Sequence, residues 1–595
     1  MPNANNSSVV IANNDIVYLW WAYPEKIENC LGFSIHRIVN GKEEKKALPA
    51  TVGFDKVLDK RKSPQTTDEW PTQSFNWKDL YAPHDKKVSY RIIPMLGDWK
   101  KLTPDLHNSI VTNEVTRTQK YGKSVKVIFN RGLLSTQAFS KSSTDGVKKD
   151  DAATMISDPT NLWRKRLGGQ MLYNVSEFFK RAKNEGGNYY AALYELTDTE
   201  LIDHLTENAG TELILSNANG SETKTVDGVK KIITVDDKTN KKIRAAFHKK
   251  MKKGEINIYD RMLGGHIGHN KFVVYVDANK KPKAVLTGST NWTATGLCGQ
   301  TNNMVIIEND KIAAKYLEYW QQLKKDKKQD AALRTWCADN CFTGTCDDSD
   351  IKVWFSPNTE KKSKPAKDPG RPVDVEDVFK FIDKAKKSIL FLVFNPGSPS
   401  IINHIQEVAA ARPKNKPLFI RGAISDAAIA KEVTTEIYTT AKVSKPDKYK
   451  VGDQRITGVA AIPGKFSYWE KELLKLGFAT IHDKILVIDP FGDNPVVITG
   501  SHNLGYKASY TNDENMLVIQ NNPVIAKAYA AHVLDVVNHF KWRYKLQSMI
   551  GKEKNEEKQR KILEKAWHDL SEKADWMNYY YDNNGFKQPD KLLLP

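Results

Sequence analysis

Apolar and polar residues alternate in three early stretches, at 15–24 (DIVYLWWAYP), 32–39 (GFSIHRIV) and 86–96 (KKVSYRIIPML), with turn-forming residues between them. A period of two marks strands that bury one face. Residues 1–115 are therefore predicted to form a small all-β sandwich, with Trp20 or Trp21 as its buried tryptophan.

From residue 124 the pattern changes. Short apolar runs at 124–130 (SVKVIFN), 188–196 (NYYAALYEL) and 211–218 (TELILSNA) read as buried strands. Between them, 162–184 has a helical period with a basic face, and 197–205 (TDTELIDHL) opens a helix with Thr197 and Asp198 as capping candidates. The same succession returns later: strand at 351–357, helix at 375–387, strand at 388–396, helix at 398–411, strand at 417–425. Ile202, Asp203, His204 and Leu205 align with Ile402, Asn403, His404 and Ile405. Such alternation predicts an α/β fold: two duplicated lobes with mixed or parallel sheets, preceded by the sandwich. The expected borders are 1–115 for the sandwich, 116–345 and 346–545 for the lobes, and 546–595 for a tail. His204 and His404 fall inside helices and are read as structural. The polar stretches 140–154 and 358–372 are expected to be exposed loops. In the tail, a charged helix is expected at 551–574. The aromatic end, 575–589 (DWMNYYYDNNGFKQP), is expected to fold back as a clasp; stacking on bases or a lipid interface is the alternative.

Each lobe closes on one constellation. In the second it runs His482, Lys484, Asp489, then Gly500, Ser501 and Asn503, then Glu514 and Asn515. In the first it runs His269, Lys271, Asp277, then Gly288, Ser289 and Asn291, then Asn302 and Asn303. Each His-x-Lys heads a run of β-branched and apolar residues, so His and Lys project from one face at the start of a strand. Imidazole, ammonium, hydroxyl and amide together suit an oxyanion such as phosphate. No cluster of acids for a metal accompanies them. His266 stands three residues before His269 and is placed at the mouth of the site.

These residues resemble the phospholipase D superfamily, whose signature is His-x-Lys-x4-Asp followed by Gly-Ser-x-Asn. The second copy fits fully, with four residues between Lys484 and Asp489; the first has five between Lys271 and Asp277. The resemblance implies metal-independent cleavage of phosphodiesters, with no cofactor. One histidine would form a covalent phosphohistidine and the other would act as general acid and base. The lysines and asparagines would stabilise transition-state charge. In relatives the carboxylate downstream of Gly-Ser-x-Asn orients the histidine of the opposite lobe. Glu514 stands eleven residues after Asn503, whereas Asn302 stands eleven after Asn291. The resemblance therefore implies that Glu514 orients His269 and stabilises its cation. It makes His269 the nucleophile and His482 the general acid. Lys271 and Lys484 complete the catalytic set; Ser289, Asn291, Ser501 and Asn503 bind phosphate; Asn302 lies behind, and Asp277 and Asp489 either lie behind the site or serve the fold alone. Residues 1–115 also resemble a fibronectin type III domain at Tyr90, the position of that fold's late-strand tyrosine. A sandwich, a duplication in one chain and this length are similar to large bacterial phospholipase D-like proteins.

Charge adds a class of partner. With 90 Lys and Arg against 71 Asp and Glu, the net charge is +19. That favours a phospholipid or anionic membrane surface, or nucleic acid. A basic stretch at 238–255 (KTNKKIRAAFHKKMKKGE) lies just before the first motif. Phospholipid hydrolysis or headgroup exchange is the leading reading, and cleavage of DNA or RNA the alternative. No obligate protein partner is evident, and two lobes in one chain let a monomer build the site. Five cysteines do not describe a disulfide framework, and Cys337, Cys341 and Cys346 lack a nearby histidine for a zinc site. The N-terminal stretch lacks the pattern of a secretory signal, and no run is long enough for a transmembrane helix. The expected location is cytoplasmic, or exported without a cleaved signal.

Overall fold

The computed structural model describes residues 7–50, 52–54, 65–132, 149–217, 220–226, 229–235, 238–264, 266–362, 370–413, 416–425, 456–458, 481–550, 555, 557–558, 569–582 and 585–586. The chain forms two compact units: Met1–Thr118 with Ile462–Phe466 and Trp542–Pro595, and Gln119–Ala461 with Ser467–Lys541.

In the first unit, Ser7–Ala12, Val17–Ala22 and Asn76–Asp79 form one antiparallel sheet. Cys30–Val39 and Lys87–Asp98 lead a second, also antiparallel. Trp20 and Trp21 are both buried although consecutive strand residues face opposite ways, so both faces of that strand are covered. Trp21 meets the ring of Phe33 edge-on at 5.4 Å in the core. Tyr90 is buried, and its hydroxyl donates to Asp79, which also binds Arg37. The sequence pattern sets residues 546–595 apart, but their aromatic end packs in this core. Met577 and Tyr581 are buried there, Trp576 donates to the carbonyl of Cys30 (2.9 Å), and Tyr581 to that of Tyr23 (3.0 Å). Most of the helix expected over 551–574 lies outside the described residues. Asp569–Leu570, near its end, is instead a strand parallel to Gly53–Phe54.

The second unit holds the two lobes. The first lobe's sheet runs Lys120–Tyr121, Val125–Phe129, Asn303–Ile307, Pro282–Gly288, Lys271–Val276, Asn188–Leu193, Glu212–Asn217, Asn257–Met262. The second repeats this order with Phe342–Cys346, Ser349–Ser356, Asn512–Gln520, Val496–Gly500, Lys484–Ile488, Ser388–Val393, Phe419–Ile424, Ile456–Gly458. In each, the last three strands are parallel and the others antiparallel. The motif strands are central and fully buried, which explains their near-continuous apolar runs. Helices cover the sheets. Leu162–Glu185 packs Met171, Val175 and Phe178 into the first core and breaks helical geometry at Gly169; Val373–Asp383 packs Val375, Val378 and Phe379 into the second. His204 and His404 stack on Phe179 and Phe379 at 5.6 and 4.1 Å and take no part in the motif. Most of the loop expected at 140–154 lies outside the described residues, as do 363–369 of the loop expected at 358–372; Lys149–Ser157 is helical. The basic stretch forms the helix Lys241–Lys252, which buries Arg244 and Phe247.

Main-chain pairing joins the lobes. Ile267–Gly268 runs parallel to Asn512–Asp513, and Thr301 bridges Ile481 in the same sense. Each His-x-Lys thus begins beside the downstream strand of the other lobe. Among the described residues no helix is long and apolar enough to cross a membrane.

Candidate active site

Strand geometry delivers the two histidines. The backbone N–H of His269 donates to the carbonyl of Asp513 (2.9 Å), and that of His482 to the carbonyl of Thr301 (3.1 Å). Each lobe therefore fixes the other's histidine before any side chain is considered. Lys271 and Lys484 are buried at the first positions of their strands, and each Nζ donates to its own motif histidine's carbonyl, at 2.7 and 2.6 Å. An aromatic ring backs each pair: Tyr194 lies 4.8 Å from His269 and Phe394 lies 5.0 Å from His482. Tyr194 lies under the Lys271 ammonium, and Phe394 under that of Lys484.

Side-chain partners set the protons. Nδ1 of His269 lies 2.8 Å from Oε2 of Glu514, whose other oxygen accepts from Asn512 (2.9 Å). A carboxylate is an acceptor, so Nδ1 carries hydrogen and Nε2 keeps its lone pair. Nδ1 of His482 lies 2.9 Å from Oδ1 of Asn302. The Asn302 amide cannot turn over: its Nδ2 donates to the Gly296 carbonyl (2.9 Å), and its Oδ1 also accepts from Ser289 (2.9 Å). Hence His482 also donates from Nδ1, and its Nε2 accepts from Lys484 at 3.2 Å.

Burial governs the ionisation. It pushes His269 down to about 4, against the opposing pull of Glu514. Glu514 thus favours the cation of His269, but desolvation of the buried imidazole outweighs that one carboxylate. Burial lowers Lys271 to about 7, with Glu514 and Glu195 resisting. His482 falls well below its usual range by burial and by the charges of Lys484 and Lys271, and Lys484 falls likewise by burial and by Lys271. Burial alone would raise Glu514, yet His269 and Lys271 hold it below its ordinary value.

The remaining sequence candidates separate. Ser289 and Ser501 are fully buried and tie the turns: each hydroxyl accepts a backbone N–H, from Asn303 and Asn515, at 3.0 Å. Both hydroxyls are thus engaged in holding their turns. Gly288 and Gly500, at φ +140° and +131°, let the carbonyls of Asn303 and Asn515 come closer than any Cβ would permit. Asn291 donates to Oε2 of Glu195 (2.7 Å), while Asn503 is half-buried with a partnerless Oδ1 among the described residues. Asp277 and Asp489 sit at the far ends of their strands, not behind the histidines. Asp277 accepts the N–H groups of Asn279 and Lys281 in a hairpin turn. Asp489 accepts those of Lys386, Lys387 and Ser388. A strand of about six residues spans about 20 Å, which removes both from the chemistry. His266 touches the Thr511 carbonyl (3.1 Å).

Asn303 and Asn515, the last members of the two constellations, complete the centre together with residues outside the motif. Asn515 accepts from Thr287 (2.7 Å) and Tyr316 (3.0 Å) and donates to Asn270 (3.0 Å). In mirror fashion Asn303 meets Thr499 (2.6 Å) and Tyr529 (2.8 Å) of the second lobe. The signal was present as the asparagine shared by 301–303 (TNN) and 513–515 (DEN). Among the described residues no group of three or more His, Cys, Asp or Glu is placed to hold a metal.

A family model described as "Cardiolipin synthase, PLD-like domain" matches twice, at residues 178–324 and 378–534, just over half the chain. The chain belongs to the phospholipase D-like family. Its fold is that of a phospholipase D superfamily phosphodiesterase, built here from two matched lobes. Comparison with curated proteins returned no match. Among solved structures, phosphatidylserine synthase of Haemophilus influenzae Rd KW20 is 11% identical, with 67% of this chain and 90% of that chain covered at a TM-score of 0.41. Nuc of Salmonella typhimurium, a phospholipase D family member, is 20% identical over 32% and 95% (TM-score 0.21). Polyphosphate kinase of Porphyromonas gingivalis is 10% identical over 58% of this chain and 46% of that one (TM-score 0.33). This phospholipase D-like chain thus spans just under half the length of that kinase.

Proposed function

We propose that this phospholipase D-like protein hydrolyses or exchanges phospholipid headgroups through a phosphohistidine on His269, without a metal. The observation that carries this reading is the asymmetric pair: two buried His-Lys sets, only one of them backed by a carboxylate. Nε2 of His269, neutral and with Nδ1–H held by Glu514, attacks phosphorus. The P–O bond to the alcohol breaks, and the alcohol oxygen takes a proton from Nε2 of His482. Water, or a second alcohol, then gives its proton to His482, attacks phosphorus and frees His269. Lys271 and Lys484 stabilise the added negative charge. An anionic phosphodiester between them also offsets the repulsion that depresses His482, so substrate binding favours its protonated, acid-competent form.

Support for lipid over other phosphodiesters comes from the matched model's description, which names cardiolipin synthase. A second reading, endonuclease action on DNA or RNA, is favoured by exposed Lys241, Lys242, Lys249 and Lys252 on one helix. The test is a paired assay with EDTA present. One arm holds phosphatidylcholine, phosphatidylethanolamine and cardiolipin vesicles; the other holds single- and double-stranded DNA and RNA. His269→Ala and His482→Ala run beside wild type. Headgroup release lost in both variants is the expected result. Nucleic-acid cleavage lost in both, with intact vesicles, moves the assignment to nuclease.

A further inference from the structure

The mechanism leaves one carboxylate at the site unused. Glu195 follows Tyr194, the ring that backs His269, and its backbone is pinned on three sides. Asn240 donates to the Tyr194 carbonyl (2.8 Å) and accepts from the Leu196 N–H (3.1 Å), and the Trp292 N–H donates to the Glu195 carbonyl (3.2 Å). The Glu195 side chain accepts from Asn291 Nδ2 at 2.7 Å. Its charge is felt by both lysines, for it opposes the depression of Lys271 and of Lys484. In the second lobe the matching residue is neutral. Leu193 pairs with Lys271 as Val393 pairs with Lys484, so Asn395 stands where Glu195 does. At this position of the fold only the first lobe therefore carries a negative charge, on a pinned backbone and bonded to the asparagine of its own Gly-Ser-x-Asn motif.

We propose that Glu195 selects substrates by charge: it favours phosphodiesters whose ester substituent bears an ammonium group and disfavours those with further negative charge. This rests on the phosphodiesterase reading above. In the lipid case it names the class as zwitterionic amino-alcohol phospholipids rather than anionic ones. A charge held a few ångströms from an ammonium or a carboxylate in a partly desolvated site discriminates between them by about tenfold or more.

The experiment uses the full-length chain and three p-nitrophenyl phosphodiesters whose second ester group is choline, ethyl or glycolate. Wild type, Glu195→Gln and Glu195→Ala are compared by the ratio of kcat/KM for the choline and glycolate esters. That ratio is independent of the folded fraction, and glutamine keeps an oxygen for Asn291. Wild type is expected to prefer the choline ester, with the ratio falling at least about tenfold in both variants. An unchanged ratio overturns the proposal. Phosphatidylcholine and phosphatidylglycerol vesicles form a second arm. If the chromogenic esters show the Glu195 dependence while vesicles stay intact, the lipid reading falls and charge selection stands. If wild type turns over none of the three esters, the phosphodiesterase reading fails and the role of Glu195 falls with it.

Discussion

The two lobes share strand order, motif spacing and the ring behind each histidine, yet they differ in what stands behind the imidazole. His269 faces the carboxylate of Glu514, and His482 faces the amide of Asn302. Both partners accept from Nδ1, so both histidines present the same tautomer. The difference lies in what each can tolerate next. In the reaction proposed above, a carboxylate would offset positive charge as the Nε2 of His269 bonds to phosphorus, whereas an amide would leave His482 ready to give its proton away. Both lobes share one frame, and one acid-to-amide difference sets their histidines apart.

The sharpest way to break that comparison is to delete each imidazole in turn on a p-nitrophenyl ester, whose leaving group needs little protonation. His482→Ala is expected to release about one p-nitrophenolate per chain and then stall with phosphate bound to His269, because no base remains to activate water. His269→Ala should give no burst and lose at least about a thousandfold in turnover. Quenched-flow kinetics and mass spectrometry of the trapped adduct decide it. An adduct on residue 482 would invert the assignment.

A smaller effect sharpens how the lobes share charge. Burial holds Lys271 at about 7, and Lys484 is lowered as well. A bound anion raises both values. Affinity is then greatest below about pH 7, where Lys271 is protonated with or without ligand, and falls as pH rises toward the value in the complex. Sulfate, whose charge stays constant, should bind about tenfold more tightly near pH 6.5 than near pH 8.5, with proton uptake at the higher pH in calorimetry. Flat affinity across that range would mean that the lysines do not face the bound anion.

The mildest contrast is between the two motif aspartates. Asp489 takes three backbone N–H groups at a buried strand end, and Asp277 takes two in a more exposed turn. Asp489→Asn sets an amide N–H against backbone donors and should cost about 1–3 kcal/mol in urea unfolding. Asp277→Asn keeps its single accepting oxygen and should cost less than about 0.5 kcal/mol. Equal losses would refute this account of the aspartates.

Much of the centre was legible in residue types. His269, Lys271, His482 and Lys484 recur at fixed spacing because a central strand must present both groups from its first turn, and spacing survives in sequence. Glu514 against His269 was legible through the one asymmetry between otherwise matched stretches. What spacing cannot convey is which of two supporting roles a motif aspartate takes, so the backbone-holding role of Asp277 and Asp489 had to be seen in space. Nor does it show that the hydroxyls of Ser289 and Ser501 hold their own turns. The pull of Glu514 on His269 could be read from the sequence, but the opposing effect of burial could not, because a sequence names the carboxylate partner and not the depth of burial. Glu195 was invisible: it belongs to no repeated pattern, and its counterpart Asn395 is chemically different.

Asn303 and Asn515 each cross into the opposite lobe and find two hydroxyls there. Parting the lobes like a clamshell would strand these amides and hydroxyls in an apolar interior, at about 1–3 kcal/mol for each orphaned group. The seam between the lobes therefore resists opening as a hinge. At this seam the two lobes are joined as the halves of one interior rather than as two jaws.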